Sequence, residues 1–215
     1  MRRIPFFANL EDGTHCYQAA LKMVLTFFTH KEWSFEKLDA LSGKLAGKWT
    51  WPTTSLLWLL DHDFEVKLVE EFSFEEFAKR GKGYLVEKCG SEVANAQESN
   101  SDLPREQELA AKLSKRLTVD YRVPTWDDLK YLLNNDYLII CNINSYKISR
   151  QPGYAGHFVV PVEIFSESVF IHDPGLPPRP SLEVKRTLFE EAWGYPTGND
   201  KNLLAIRPRP KEIKS

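Results

Sequence analysis

Residues Ala19, Ala20, Met23, Val24 and Phe27 recur at spacings of three and four, which predicts an amphipathic helix over residues 16–29. Thr14 or the turn before it can cap that helix. A second helix is expected over residues 34–41. A third spans residues 52–61, with Pro52 near its first position and Thr53 and Thr54 beside it. Residues 64–69 alternate apolar and polar like a strand. Ser73-Phe74-Glu75-Glu76 is a capping-box pattern that opens a short helix ending at Gly81. The run VANAQESNSDLP, residues 93–104, predicts a flexible loop or a fraying helix. Helix formers dominate residues 105–117. Thr125-Trp126-Asp127-Asp128 opens another helix, through Leu133.

After that the pattern changes. Residues 137–143, 157–165, 169–172 and 203–206 are short β-branched or apolar runs separated by Gly, Pro and Ser turns. A helix-rich first part followed by a strand-rich second part predicts an α+β fold with segregated elements rather than alternating β-α-β units. No internal repeat is seen.

Composition narrows the picture. The chain has 215 residues, 42% of them hydrophobic, enough to build a sizeable core. Its formal net charge is -2, so no basic excess points to nucleic acid or to an anionic membrane surface. No apolar run approaches the roughly 20 residues of a membrane span. The apolar run near the N-terminus, IPFFA, is too short for a secretory signal. Three cysteines without motif spacing argue against a disulfide framework and fit a reducing cytoplasm. Cys141, inside YLIICNI, reads as core. Cys89 has no local chemistry. Trp49, Trp51 and Trp58 read as packing for the helical part, or as a rim for an extended peptide. Glu70 and Glu71 read as a solvated surface.

Candidate chemistry starts at EDGTHCYQ. Cys16 stands at the mouth of the first helix, where backbone N–H groups and the helix dipole stabilise a thiolate. A cysteine nucleophile needs a base beside the sulfur and a group that orients the base. His157 opens the strand HFVVPV directly after the loop GYAG, and Asp173 ends the strand VFIHDPG. If these strands form an antiparallel hairpin turning near residues 166–168, the start of one lies beside the end of the other. His157 and Asp173 then become neighbours, and the carboxylate can fix the imidazole tautomer. Spacing does not bring Cys16 to them. Each residue also has a plain reading: Cys16 as a small buried side chain, His157 as a structural histidine, Asp173 as a turn residue before proline. His15, His172 and Cys16 lack paired metal-ligand spacing, so no metal site is expected.

The order of Cys16 at a helix start, then GHFVVPV, then a strand ending in DPG, then FEEAW at residues 189–193, resembles the papain-like cysteine peptidases. It is most similar to the bacteriocin-processing, double-glycine-leader peptidase domains and their stand-alone relatives. The likeness spans residues 6–206. It implies a papain-like domain over residues 1–209, helical to about residue 135 and sheet-forming beyond, followed by a polar tail at 210–215. It implies a peptide or protein substrate, no cofactor, and a triad with Cys16 as nucleophile, His157 as base and Asp173 as orienter. An amine in place of water would make the same site an acyltransferase. Two departures stand out. The family pattern Cys-Gly-Pro-Ala is here Cys16-Tyr17-Gln18-Ala19. The glutamine that donates to the oxyanion, about six residues before the cysteine, is replaced by Leu10; the nearest amide is Asn9, with Gln18 as a second candidate. These departures also permit a weakly active or inactive domain that binds a peptide or protein partner.

Overall fold

The apolar run near residue 140 lies in the middle of the molecule. In the computed structural model, which describes residues 3–210, it forms a strand, Leu138–Asn144, whose side chains enter two different cores. Leu138 and Ile140 join one core; Ile139, Cys141 and Ile143 join the other. Side chains alternate across a strand, so a run apolar at every position suits a sheet covered on both faces.

The described strands are β1 (Phe64–Glu70), β2 (Val119–Asp120), β3 (Leu138–Asn144), β4 (Gly156–Ile164), β5 (Ser168–Asp173), β6 (Arg179–Lys185) and β7 (Asn202–Pro208). They make one sheet in the order β2-β1-β7-β3-β4-β5-β6. All pairs are antiparallel except β1 with β2. Helices α1 (Cys16–Thr29), α2 (Phe35–Ser42), α3 (Thr53–Asp61), α4 (Phe74–Arg80), α5 (Lys82–Asn100) and α6 (Leu103–Leu113) contribute to the first core. The second core is closed by α7 (Trp126–Asn134) and α9 (Arg186–Trp193), through Trp126, Leu129, Phe189 and Trp193. The short α8 (Ser145–Ile148) follows β3. This is the expected α+β architecture with a mostly antiparallel sheet.

Local signals set most boundaries. Ser34, Ser73 and Asp102 accept the N–H three residues on, and Thr125 with Asp128 closes a capping box. The β4–β5 hairpin turns where expected: Phe165 N–H donates to the Ser168 carbonyl at 2.8 Å. The start of β4 and the end of β5 therefore meet at one end of the sheet. The end of β3 joins them there, Asn144 pairing with Gly156.

Several expectations are corrected. Thr14 does not cap α1; its hydroxyl donates to Asp12, and no side chain caps the helix. The polar stretch 93–104 is mostly helical, continuing α5 past a kink at Gly90 (φ 83°). Tertiary contacts hold it: Trp51 Nε1 donates to Gln97 and Ser101, and Trp49 N–H donates to the Asn100 carbonyl. Strand β6 was not expected, although residues 181–185 alternate polar and apolar, with Leu182 and Val184 on the second core. Segregation is incomplete, since β1 pairs along its whole length with β7. Glu70 is not a solvated residue: it is half-buried, and burial pushes its carboxyl up to about 7. Trp51 stacks on Phe77 and Trp58 packs against Trp33, while Trp49 is exposed. Residues 211–215 of the expected tail lie outside the described residues.

Candidate active site

Cys16 is the first residue of α1, with His15 at the N-cap position. The turn before it is tied from two sides. Asn9 Oδ1 accepts the His15 N–H at 2.8 Å, and Asn9 N–H donates to the Pro174 carbonyl at 2.8 Å. The second bond joins the N-terminal segment to the turn just beyond Asp173. The His15 ring sits between two carboxylates, Nδ1 2.9 Å from Asp12 and Nε2 3.3 Å from Asp39.

His157 is the second residue of β4, and its N–H donates to the side-chain oxygen of Asn142 on β3 at 3.1 Å. Its ring is buried. Nε2 lies 2.6 Å from Asp173 Oδ1. Cys16 and His157 each shift the ionisation of the other, and with Nε2 on Asp173 the nitrogen left to face the sulfur is Nδ1. Cys16, His157 and Asp173 thus stand in one line, from a helix start to the two ends of a hairpin. The glycine after Pro174 permits this closeness. A Cβ on Gly175 would lie 2.9 Å from Asp173 Oδ1 and 3.3 Å from His157 Nε2.

The charges favour an ion pair. Burial opposes ionisation of Cys16, but the hydrogen bond and charge of His157, with N–H groups of Phe158 and Tyr17, outweigh it and hold the thiol below its ordinary value. Burial likewise opposes protonation of His157, yet Asp173 and Cys16 raise it to about 9. Asp173 is held near about 2: burial works against its charge, and His157, the Gly175 N–H and Arg179 overcome it. Both shifts run in the direction of a thiolate–imidazolium pair.

Of the two oxyanion candidates, only Asn9 is placed near Cys16. Its oxygen is spent on His15 N–H, which fixes the amide plane and leaves Nδ2 to donate. Gln18 is excluded. It is fully buried on another face of α1, and its Nε2 donates to Ser42 and Thr50. Sequence reasoning missed Asn142 and Arg179. Arg179 donates through Nε and Nη2 to Asp173 Oδ2, the former at 2.9 Å. It begins a strand, β6, that was not foreseen although residues 181–185 alternate polar and apolar.

No protein-family model and no curated protein matches the sequence. Solved structures do. The peptidase domain of Streptococcus ComA, a bi-functional ABC transporter involved in a quorum-sensing pathway, aligns with a TM-score of 0.50 at 13% identity, covering 97% of this chain and 100% of that one. A candidate C39-like peptidase from Bacillus anthracis aligns at 0.49 and 15% identity, covering 98% of each chain. The fold likeness rests on the first of these. This chain has the papain-like fold of that bacterial peptidase domain, in agreement with the resemblance carried by its motifs.

Proposed function

We propose that the protein is a papain-like cysteine hydrolase that cleaves a peptide or amide bond through a thioester. The observation that supports this reading is the buried His157–Asp173 pair, with Cys16, at an uncapped helix start, electrostatically coupled to His157. The Cys16 thiolate forms a bond to the carbonyl carbon, and the carbonyl oxygen takes up the negative charge. Backbone N–H groups at the start of α1 and Asn9 Nδ2 stabilise that oxyanion. His157 passes its proton to the departing amine as the C–N bond breaks. Water then attacks the thioester while His157 takes its proton, and the C–S bond breaks. An amine at this last step would make the product an acyl transfer.

Residues 1–209 work as one papain-like unit in this reading. The unpaired thiols suit the cytoplasm. Among the described residues no helix is long and apolar enough to cross a membrane. A second reading, a peptide-binding domain with little turnover, is favoured by one observation. The oxyanion side holds the short amide of Asn9, with Leu10 where a longer glutamine would stand.

The test is incubation with a mixed peptide library, followed by mass spectrometry for new termini and for a mass adduct on Cys16. New termini that vanish in Cys16→Ala support the hydrolase. Tight peptide retention without cleavage or adduct, in a protein whose Cys16 alkylates only near its free pKa of about 8.5, favours the binding domain.

A further inference from the structure

Strand β6 places an arginine against the buried end of the triad. Arg179 is the direct cross-strand partner of Asp173, across an irregularity where the β5–β6 register shifts between Ile171 and Asp173. Bulges re-aim side chains, and they gather beside active sites. Here the shift turns the guanidinium onto Asp173 Oδ2, with Nε at 2.9 Å and Nη2 also in contact. The other oxygen, Oδ1, takes His157 Nε2 and the Gly175 N–H, the latter at 2.9 Å. Four donors thus surround a carboxylate that is 2% exposed.

The irregularity is itself pinned. Ser181 has φ 51°, in the left-handed region that non-glycine residues avoid. Its N–H donates to His172 Nδ1 at 3.1 Å. That bond requires an unprotonated Nδ1, so the neutral ring carries its hydrogen on Nε2, which donates to the Ile4 carbonyl at 3.1 Å. Phe6 packs edge-on against the same ring, with centroids 5.3 Å apart. The N-terminal segment, β5 and β6 are thereby locked together around the point from which Arg179 reaches inward.

We infer that Arg179 is a positioning residue: its guanidinium fixes the carboxylate of Asp173 and balances the charge of the site, keeping the Cys16–His157 pair ionised at mildly acidic pH. This rests on the ion-pair reading proposed above. With Arg179 present, the thiolate, imidazolium, carboxylate and guanidinium sum to zero. Without it the same buried groups carry one net negative charge, and a buried site with excess negative charge holds its protons more tightly. The groups that face this centre are few. His157 from β4 and Arg179 from β6 face Asp173, and Asp173 and Cys16 face His157. A lysine would keep the charge but lose the two-pronged contact to one oxygen.

The test is the iodoacetamide alkylation rate of Cys16 against pH, from about 4 to 9, in wild type, Arg179→Gln and Arg179→Lys. Circular dichroism reports folding. In Arg179→Gln the acid limb should move up by roughly one pH unit, with about a tenfold slower reaction at pH 6. In Arg179→Lys the limb should return to the wild-type position with a plateau at least about threefold lower. A folded Gln variant whose limb coincides with wild type overturns the inference. Should the Gln variant not fold, the Lys variant decides: an unchanged limb and plateau overturns the inference, and a lowered plateau supports it. A wild-type rate that rises only near pH 8.5 would instead defeat the ion-pair reading itself, which separates the two failures.

Discussion

The two ends of the Cys16–His157–Asp173 line are built to different standards. At the sheet end every oxygen of Asp173 is occupied, by His157, the Gly175 N–H and the Arg179 guanidinium. At the helix end the donors are sparse. The backbone N–H groups at the start of α1 are free of any side-chain cap, but Leu10 stands where a glutamine would serve, which leaves the shorter amide of Asn9 as the side-chain donor. In the proposed mechanism the sheet end governs thiolate formation, and the helix end governs stabilisation of charge that appears only during reaction. A chain built this way should hold a reactive sulfur and turn over slowly. The two properties can be broken separately.

Removing the proposed nucleophile or base is the largest perturbation. Cys16→Ala should abolish peptide cleavage. His157→Ala should move the onset of alkylation to near about 8.5, the value of a free thiol. Next comes the helix end. Asn9→Ala should lower kcat by about 10²–10³ while leaving the alkylation profile in place, because the lost amide acts on the oxyanion and not on the thiol. An equal fall in both readouts would mean that Asn9 only shapes the turn before Cys16. At the sheet end, Gly175→Ala inserts a methyl 2.9 Å from Asp173 Oδ1, closer than real contacts allow. Alkylation at pH 6 should drop by roughly an order of magnitude, with the protein still folded.

Stability against pH carries the same contrast at smaller scale. Asp173 falls from 3.8 to about 2 on folding, so its contribution is complete above about 4 and is lost as pH falls through 2. That shift corresponds to about 2 kcal/mol. His157 rises from 6.5 to about 9, so its contribution is complete below 6.5 and is lost as pH climbs through 9. His172 is lowered by burial, so it favours the folded state above its ordinary value and counts against it as pH falls. Far from the triad, Glu70 rises from 4.5 to about 7 and destabilises at alkaline pH. Glu70→Gln should raise Tm at pH 8 but not at pH 4, by an amount equivalent to about 3 kcal/mol. Gln18→Leu should leave turnover unchanged, since its amide faces Ser42 and Thr50 in the helical core. A loss of turnover there would return Gln18 to the site.

Much of this was legible along the chain because its causes are local. The period of residues 19–27 specified α1, the serine and threonine caps specified where α2, α4 and α7 begin, and the short turn at 166–168 specified the hairpin. That hairpin, through its antiparallel register, brought His157 to Asp173. Three features depended on which partner the folded chain delivers. Helix α5 persists through a polar stretch because tryptophans from the α2–α3 connection bond to it. Strand β6 alternates over residues 181–185, but which way Arg179, six residues from Asp173, points is decided by the register shift between β5 and β6. Gln18 turns inward because Ser42 and Thr50 wait there, although two positions from Cys16 it looked like an oxyanion donor. Periodicity and capping act within a few residues and leave a trace in the sequence. The direction of a polar side chain is decided by whichever partner the folded chain delivers, and that partner is specified only by the tertiary structure.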